Sequence, residues 1–275
     1  MSIPATNSGG WQPIALSAEL GPGAIAPNTL VDANGQTREV VLWRDLDAVA
    51  HLWDDRCPHR GMRLSYGFVR NGNLTCLYHG FQYGADGQCR YIPAHPRMEP
   101  PATLCTTALA LAESGGLLWA NGYDTPQQSP SLEADNSLQA IRTLVIRRTT
   151  AVTRAALDRA IFDPLTTRAA DRQLVGREGA WARWRDACGV HHEVSYAWHE
   201  PQTRLIEIEA RCDSGSSRIR IGVQTLPGER TALHVQAAAE PEPAGLKHDV
   251  HAWLRLLRFH IENDSDGRGL LETLR

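Results

Sequence analysis

Two cysteine–histidine pairs set the strongest constraint on this chain. Cys57-Pro58-His59-Arg60-Gly61 is followed, after a spacer of sixteen residues from His59, by Cys76-Leu77-Tyr78-His79-Gly80. Two soft thiolates and two imidazoles in so short a span are donors for zinc or for an iron–sulfur centre. A zinc site built from two such knuckles is one solution. The other is a [2Fe–2S] centre in which one iron takes both thiolates and the other both imidazoles. Each loop then supplies one donor of each kind. Gly61 and Gly80 allow the tight backbone approach that turns amide N–H groups toward bridging sulfides.

The rest of the composition sets limits. The 275 residues carry 28 Lys+Arg against 31 Asp+Glu, a net charge of -3, with 42% apolar residues. That length suits one large domain or two ordinary ones, and the apolar fraction suits a real core. The slightly negative balance removes the electrostatic case for nucleic acid or an anionic membrane. No apolar run approaches ~18 residues, so no membrane span is expected. The opening MSIPATNSGGWQP has neither a basic n-region nor an apolar h-region, which predicts a soluble cytoplasmic protein. The four remaining cysteines, Cys89, Cys105, Cys188 and Cys212, are too sparse for a disulfide scaffold and are expected as small buried hydrophobes.

Two sections differ in pattern. Residues 1–123 show short β-runs such as Glu39–Trp43, Ala48–Trp53 and Leu117–Ala120. Asn34-Gly35, Asn71-Gly72, Asp86-Gly87 and Gly115-Gly116 punctuate them, which predicts an all-β domain. The polar stretch 124–137 (DTPQQSPSLEADNS) reads as a linker. Residues 138–275 read as an antiparallel sheet with helices. A helix is predicted over 152–163, with Val152, Ala156, Leu157, Ala160 and Ile161 on one stripe. A hairpin follows at 190–198 and 203–211, then strands at 217–224 and 231–238. A final helix over 246–261 places Val250, Trp253, Leu254, Leu257 and Ile261 together. The fold class is α+β.

Trp11-Gln12-Pro13-Ile14, CPHRG, the sixteen-residue spacer, CLYHGFQY and Gly116-Leu117-Leu118-Trp119 together resemble the Rieske domain of Rieske non-haem iron oxygenases. The resemblance implies one [2Fe–2S] cluster on Cys57, His59, Cys76 and His79. Respiratory Rieske proteins tie their two loops with a disulfide, and here those positions are Met62 and Tyr78. Phe81 stands where they place a serine near the cluster. A potential of about -150 mV rather than about +300 mV is therefore expected, suited to electrons from NAD(P)H.

The same resemblance implies a second domain with D-x-x-H-x-x-x-x-H and a distant aspartate around mononuclear iron. Matching it to this chain puts Asp163 at the leading aspartate, but Thr166 and Asp171 at the histidines. No histidine occurs between His95 and His191. The mononuclear site is expected to be lost, with Asp264 as a vestigial ligand and Asp163 as a possible electron relay at an interface. His191 and His199 on one strand would stand about 26 Å apart, at ~3.3 Å per residue. His191 and His192 would face opposite ways, and His260 would sit off the face shared by His248 and His251. The resemblance thus implies an electron-transfer and structural subunit beside a catalytically complete oxygenase subunit in a trimeric or hexameric ring. A ferredoxin and/or an NAD(P)H-dependent reductase would feed it. The alternatives are a self-sufficient oxygenase with unorthodox ligands, and an architectural or regulatory subunit.

Overall fold

Strand β3 (Thr37–Arg44) shows how alternation builds the first half of the chain. Its side chains point to opposite faces in turn, so Val40 and Leu42 enter one apolar cluster while Val41 and Trp43 enter another. Leu52 and Trp53 of β4 (Ala50–Asp54) divide the same way. In the computed structural model the described residues are 10–31, 35–121, 129–132, 135–160, 173–185, 189–199, 204–213, 215–240 and 246–263. They fall into two units that divide between Glu133 and Ala134.

The first unit holds three small antiparallel sheets. β2 (Ile25–Val31), β3 and β4 form one; β1 (Trp11–Leu16), β10 (Leu117–Asn121) and β9 (Leu111–Ser114) form the second, in that order. The third runs β5 (Phe68–Arg70), β6 (Asn73–Thr75), β7 (Gln82–Tyr83), β8 (Cys89–Tyr91). The buried Arg44 ties β3 to β9. It donates to the carbonyls of Leu20 (2.7 Å) and Ala48 (2.5 Å) and to Glu113 (3.0 Å), so its charge is fully met.

The second unit is one seven-stranded antiparallel sheet. Its order is β11 (Gln139–Ile146), β17 (Arg230–Glu240), β16 (Gly215–Leu226), β15 (Leu205–Cys212), β14 (His191–Trp198), β13 (Trp181–Arg185), β12 (Gln173–Glu178). Ile221, Val223, Leu233 and Val235 share one face with Val250, Leu254, Leu257 and Ile261 of α2 (Leu246–Asn263). Helix α1 (Thr150–Ala160) adds Ala156 and Leu157. Its stripe is rotated from the predicted one: Val152 is 43% exposed, whereas Thr153 is fully buried. Strands β11, β12 and β13 lie outside the elements read from the sequence. No helix among the described residues is long and apolar enough to cross a membrane.

The opposite face of the central strands is buried but polar. His234 lies between the Thr143 hydroxyl (3.0 Å from Nδ1) and the Gln224 carbonyl oxygen (3.2 Å from Nε2). Full burial pushes its pKa down to about 3. The unfolded chain, with His near 6.5, binds the proton that the fold refuses. Stability from this residue is therefore complete above about pH 6.5 and falls toward pH 3, by about 1.4 kcal/mol per pH unit. Urea unfolding at pH 7 and 4.5 should show a clearly smaller acid loss for His234→Gln than for the unmodified protein. Equal losses would mean that the imidazole is not held neutral.

Candidate metal centre

The two motif loops are the same closed hexapeptide folded twice. Cys57 N–H donates to the Met62 carbonyl (2.8 Å) and Gly61 N–H to the Cys57 carbonyl (2.8 Å). Cys76 N–H donates to the Phe81 carbonyl (2.9 Å) and Gly80 N–H to the Cys76 carbonyl (3.0 Å). Closing each loop needs a left-handed residue at its fifth position, and Gly61 (φ 72°) and Gly80 (φ 70°) supply it. Strands β6 and β7 hold the ends of the second loop. The first is fixed by the buried Asp55, whose carboxylate accepts the Ser65 N–H (2.7 Å) and hydroxyl (2.7 Å).

The four donors sort by depth. Cys57 and Cys76 are 3% and 2% exposed, within the cluster that includes Trp43, Trp53 and Tyr83. His59 is half-buried and His79 exposed, their rings 4.8 Å apart. Phe81 stacks on His59 at 4.2 Å and Tyr78 lies against His79 at 3.8 Å, limiting how either imidazole can turn. The Tyr83 hydroxyl is 3.1 Å from the Cys57 sulfur. Burial, then the neighbouring Cys57, pushes the Tyr83 phenol above its ordinary range, so it stays protonated.

This donor set fits a [2Fe–2S] cluster. Burial and then the adjacent Cys57 push the Cys76 thiol up, so two thiolates side by side need a cation between them. Burial, the neighbouring His79 and Arg60 push His59 down, which keeps it in the neutral form that ligates. Among the described residues no three or more His, Cys, Asp or Glu side chains gather as they would around a single ion. A buried thiol pair and an outward imidazole pair suit two irons of different ligation.

Comparison with known proteins places the chain. Residues 10–108 match the Rieske [2Fe-2S] domain family. The first unit thus carries a Rieske [2Fe–2S] domain. "Oxidoreductase NdmD" of Pseudomonas putida is 33% identical over 135 residues, 48% of this chain and 22% of that protein. "Pheophorbide a oxygenase, chloroplastic" of Arabidopsis thaliana is 31% identical over 181 residues, 61% of this chain and 33% of that protein. The chain therefore spans a third or less of these relatives. A dicamba monooxygenase structure with 3,6-dichlorosalicylic acid superposes with a TM-score of 0.69 at 17% identity, over 94% of this chain and 88% of the other. The chain thus carries a Rieske [2Fe–2S] domain, is similar over part of its length to Rieske oxygenases, and has the fold of dicamba monooxygenase along almost its whole length.

The remaining candidates are scattered. Asp163, Thr166, Asp171, Cys188 and Asp264 lie outside the described residues. His191 and His192 are successive residues of β14, His199 sits against Glu207 (2.8 Å), and His248, His251 and His260 lie along α2. Cys89 is buried as expected, but Cys105 and Cys212 are only half-buried. The second unit also has a half-open cavity of about 280 Å³ between the sheet and the first turns of α2, walled by Ile208, Ile219, Ala237, Val250 and Trp253. Sequence reading missed the Tyr83 bond to Cys57 and a third loop whose Pro93 packs on Gly80.

That packing separates the two glycines. A Cβ on Gly80 would lie 2.9 Å from Pro93 Cγ, whereas one on Gly61 meets nothing within 4 Å. Both substitutions to alanine carry the left-handed cost of about 1–2 kcal/mol. Gly80→Ala must also displace Pro93, so its purified protein should hold less iron and sulfide per chain than Gly61→Ala. Equal cluster content in the two variants would refute the close approach.

Proposed function

We propose that this chain is the Rieske [2Fe–2S] electron-transfer subunit of a multicomponent hydroxylating or demethylating oxygenase. It would pass reductase-derived electrons to mononuclear iron in a catalytically complete neighbour within a trimeric or hexameric ring. The domain plan is a Rieske domain over 1–123, a linker over 124–137 and an oxygenase-type remainder over 138–275. The observation that carries the reading is the depth order of the donors, thiols inside and imidazoles outward. It stands beside a sequence with no histidine between His95 and His191.

When bound, the cluster supplies one-electron transfer. Cys57 and Cys76 would hold its inner iron, and His59 and His79 its outer one. The Tyr83 hydroxyl shares a hydrogen bond with the inner sulfur, and Phe81 and Tyr78 keep the two imidazoles in place. An outward imidazole pair brings the redox centre to the surface that a ferredoxin, a reductase or a neighbouring subunit can reach. Asp163 is assigned to the subunit interface as a partner for a neighbour's cluster histidine, and Asp264 to a vestigial ligand position. The proteins it is similar to, an oxidoreductase and oxygenases, support the class of reaction.

Metal analysis and turnover test this. The purified chain should be brown, hold about two irons rather than about three, and give a rhombic Rieske EPR signal on reduction. With reductase and excess ferrous iron it should turn over substrate only once a second, iron-bearing subunit is added. Cys57→Ser should stop electron delivery while the second subunit keeps its iron. Full turnover by this chain alone, with about three irons, would replace the proposal by a self-sufficient oxygenase.

A further inference from the structure

The apolar face of the second unit is filled unevenly. Across β14 to β17 its side chains form cross-strand rows. Ile206, Ile221 and Val235 make one row, and Ile208, Ile219 and Ala237 make the next. Val194, Ala210, Ser217 and Ala239 make the one after that. The side chains thus shrink from row to row. Leu246, Val250 and Trp253 of α2 stand over the smaller ones without filling the space, which leaves the half-open cavity of about 280 Å³. Close-packed interiors keep few voids of that size, whereas small-molecule sites begin at about 300 Å³.

The walls define what could enter. Asp249 and Arg218 are the only charged residues among those that line the cavity, and Ser217 adds a hydroxyl. Ser217 and Ile219 face α2, so the side chain of Arg218 between them turns to the other face of β16. There its guanidinium meets Asp135 (2.5 Å) and the Ser137 hydroxyl (2.9 Å). An anion entering the cavity would meet a carboxylate and no available cation, and would lose its hydration with nothing in exchange. A cation would have to leave water for Asp249, which is itself exposed. Only an uncharged molecule meets neither cost. Apolar surface continues past the mouth: Leu256 on the wall is 43% exposed, and Phe259, three residues further along α2, is 63% exposed.

We propose that this cavity is a binding site for an uncharged, lipophilic molecule of roughly two or three rings. The inference goes beyond the electron-transfer reading and uses neither the cluster nor an iron in this chain. The ligand is held, and no bond in it is made or broken. It displaces water from Ile208, Ile219 and Ala237, packs against Trp253 and leaves one edge on Leu256. A helix of another protein, about 10 Å across, is too wide for the space.

The test is fluorescence titration of the holoprotein with two probes that share one aromatic skeleton. N-phenyl-1-naphthylamine is neutral, and 8-anilino-1-naphthalenesulfonate adds a single negative charge. The neutral probe should bind at one per chain, and the anionic one about tenfold or more weakly. Ala210→Leu, which fills the floor, should weaken the neutral probe by about tenfold while circular dichroism and the cluster EPR spectrum stay the same. Asp249→Asn, at an exposed position, should narrow the gap between the probes severalfold at low salt. Equal affinity for the two probes, or a gap that Asp249→Asn leaves untouched, would overturn the charge selection. Neutral-probe binding undiminished by Ala210→Leu, or at many sites per chain, would overturn the site itself. A mass by light scattering that falls when the probe is added would give the cavity to a second copy of the chain. Binding that appears only with added ferrous iron would instead overturn the iron-free reading of this subunit.

Discussion

Two thiols buried side by side are the interaction on which the first unit depends. Cys57 and Cys76 are acceptable in an apolar core either as protonated groups or as thiolates with a cation between them. Everything around them fixes their separation. β3 and β4 place Trp43 and Trp53 in the same cluster, Tyr83 bonds to one sulfur, and each loop is closed on itself by two backbone bonds. Such a site loses little conformational freedom when metal binds, because the ordering of its donors is already complete. Asp55 belongs to the same logic: a buried carboxylate with two donors from Ser65 fixes the start of the first loop at small cost.

Local patterns were legible in the sequence and non-local ones were not. The donor spacing, the left-handed glycines, the hairpin of β14 and β15 and the apolar stripe of α2 are each properties of a few consecutive residues. The stripe of α1 differs from its apolar pattern because Thr153, small and with a methyl group, takes the buried position and leaves Val152 exposed. β13 is hard to read because Trp181-Ala182-Arg183-Trp184-Arg185 does not alternate strictly and puts Arg183 and Arg185 on the same face as Trp181. Arg183 nevertheless fits, lying over the Trp181 ring at 5.2 Å and pairing with Glu193 across the strands. The third loop could not be placed at all, since its contact with Gly80 joins segments with no shared pattern.

The second unit shows why burial alone does not mark function. Its central strands are buried on both faces, one apolar against α2 and the other carrying Arg220, Gln224, His234 and Gln236. The polar face is tolerable because most of its groups are matched: His234 has two partners, and Arg220 bonds to Glu207 at 2.6 Å. A strongly shifted histidine there is a structural group, held neutral by its surroundings. The cluster imidazoles differ by being outward, ring against ring, with Arg60, which has no ion pair among the described residues, directly after His59.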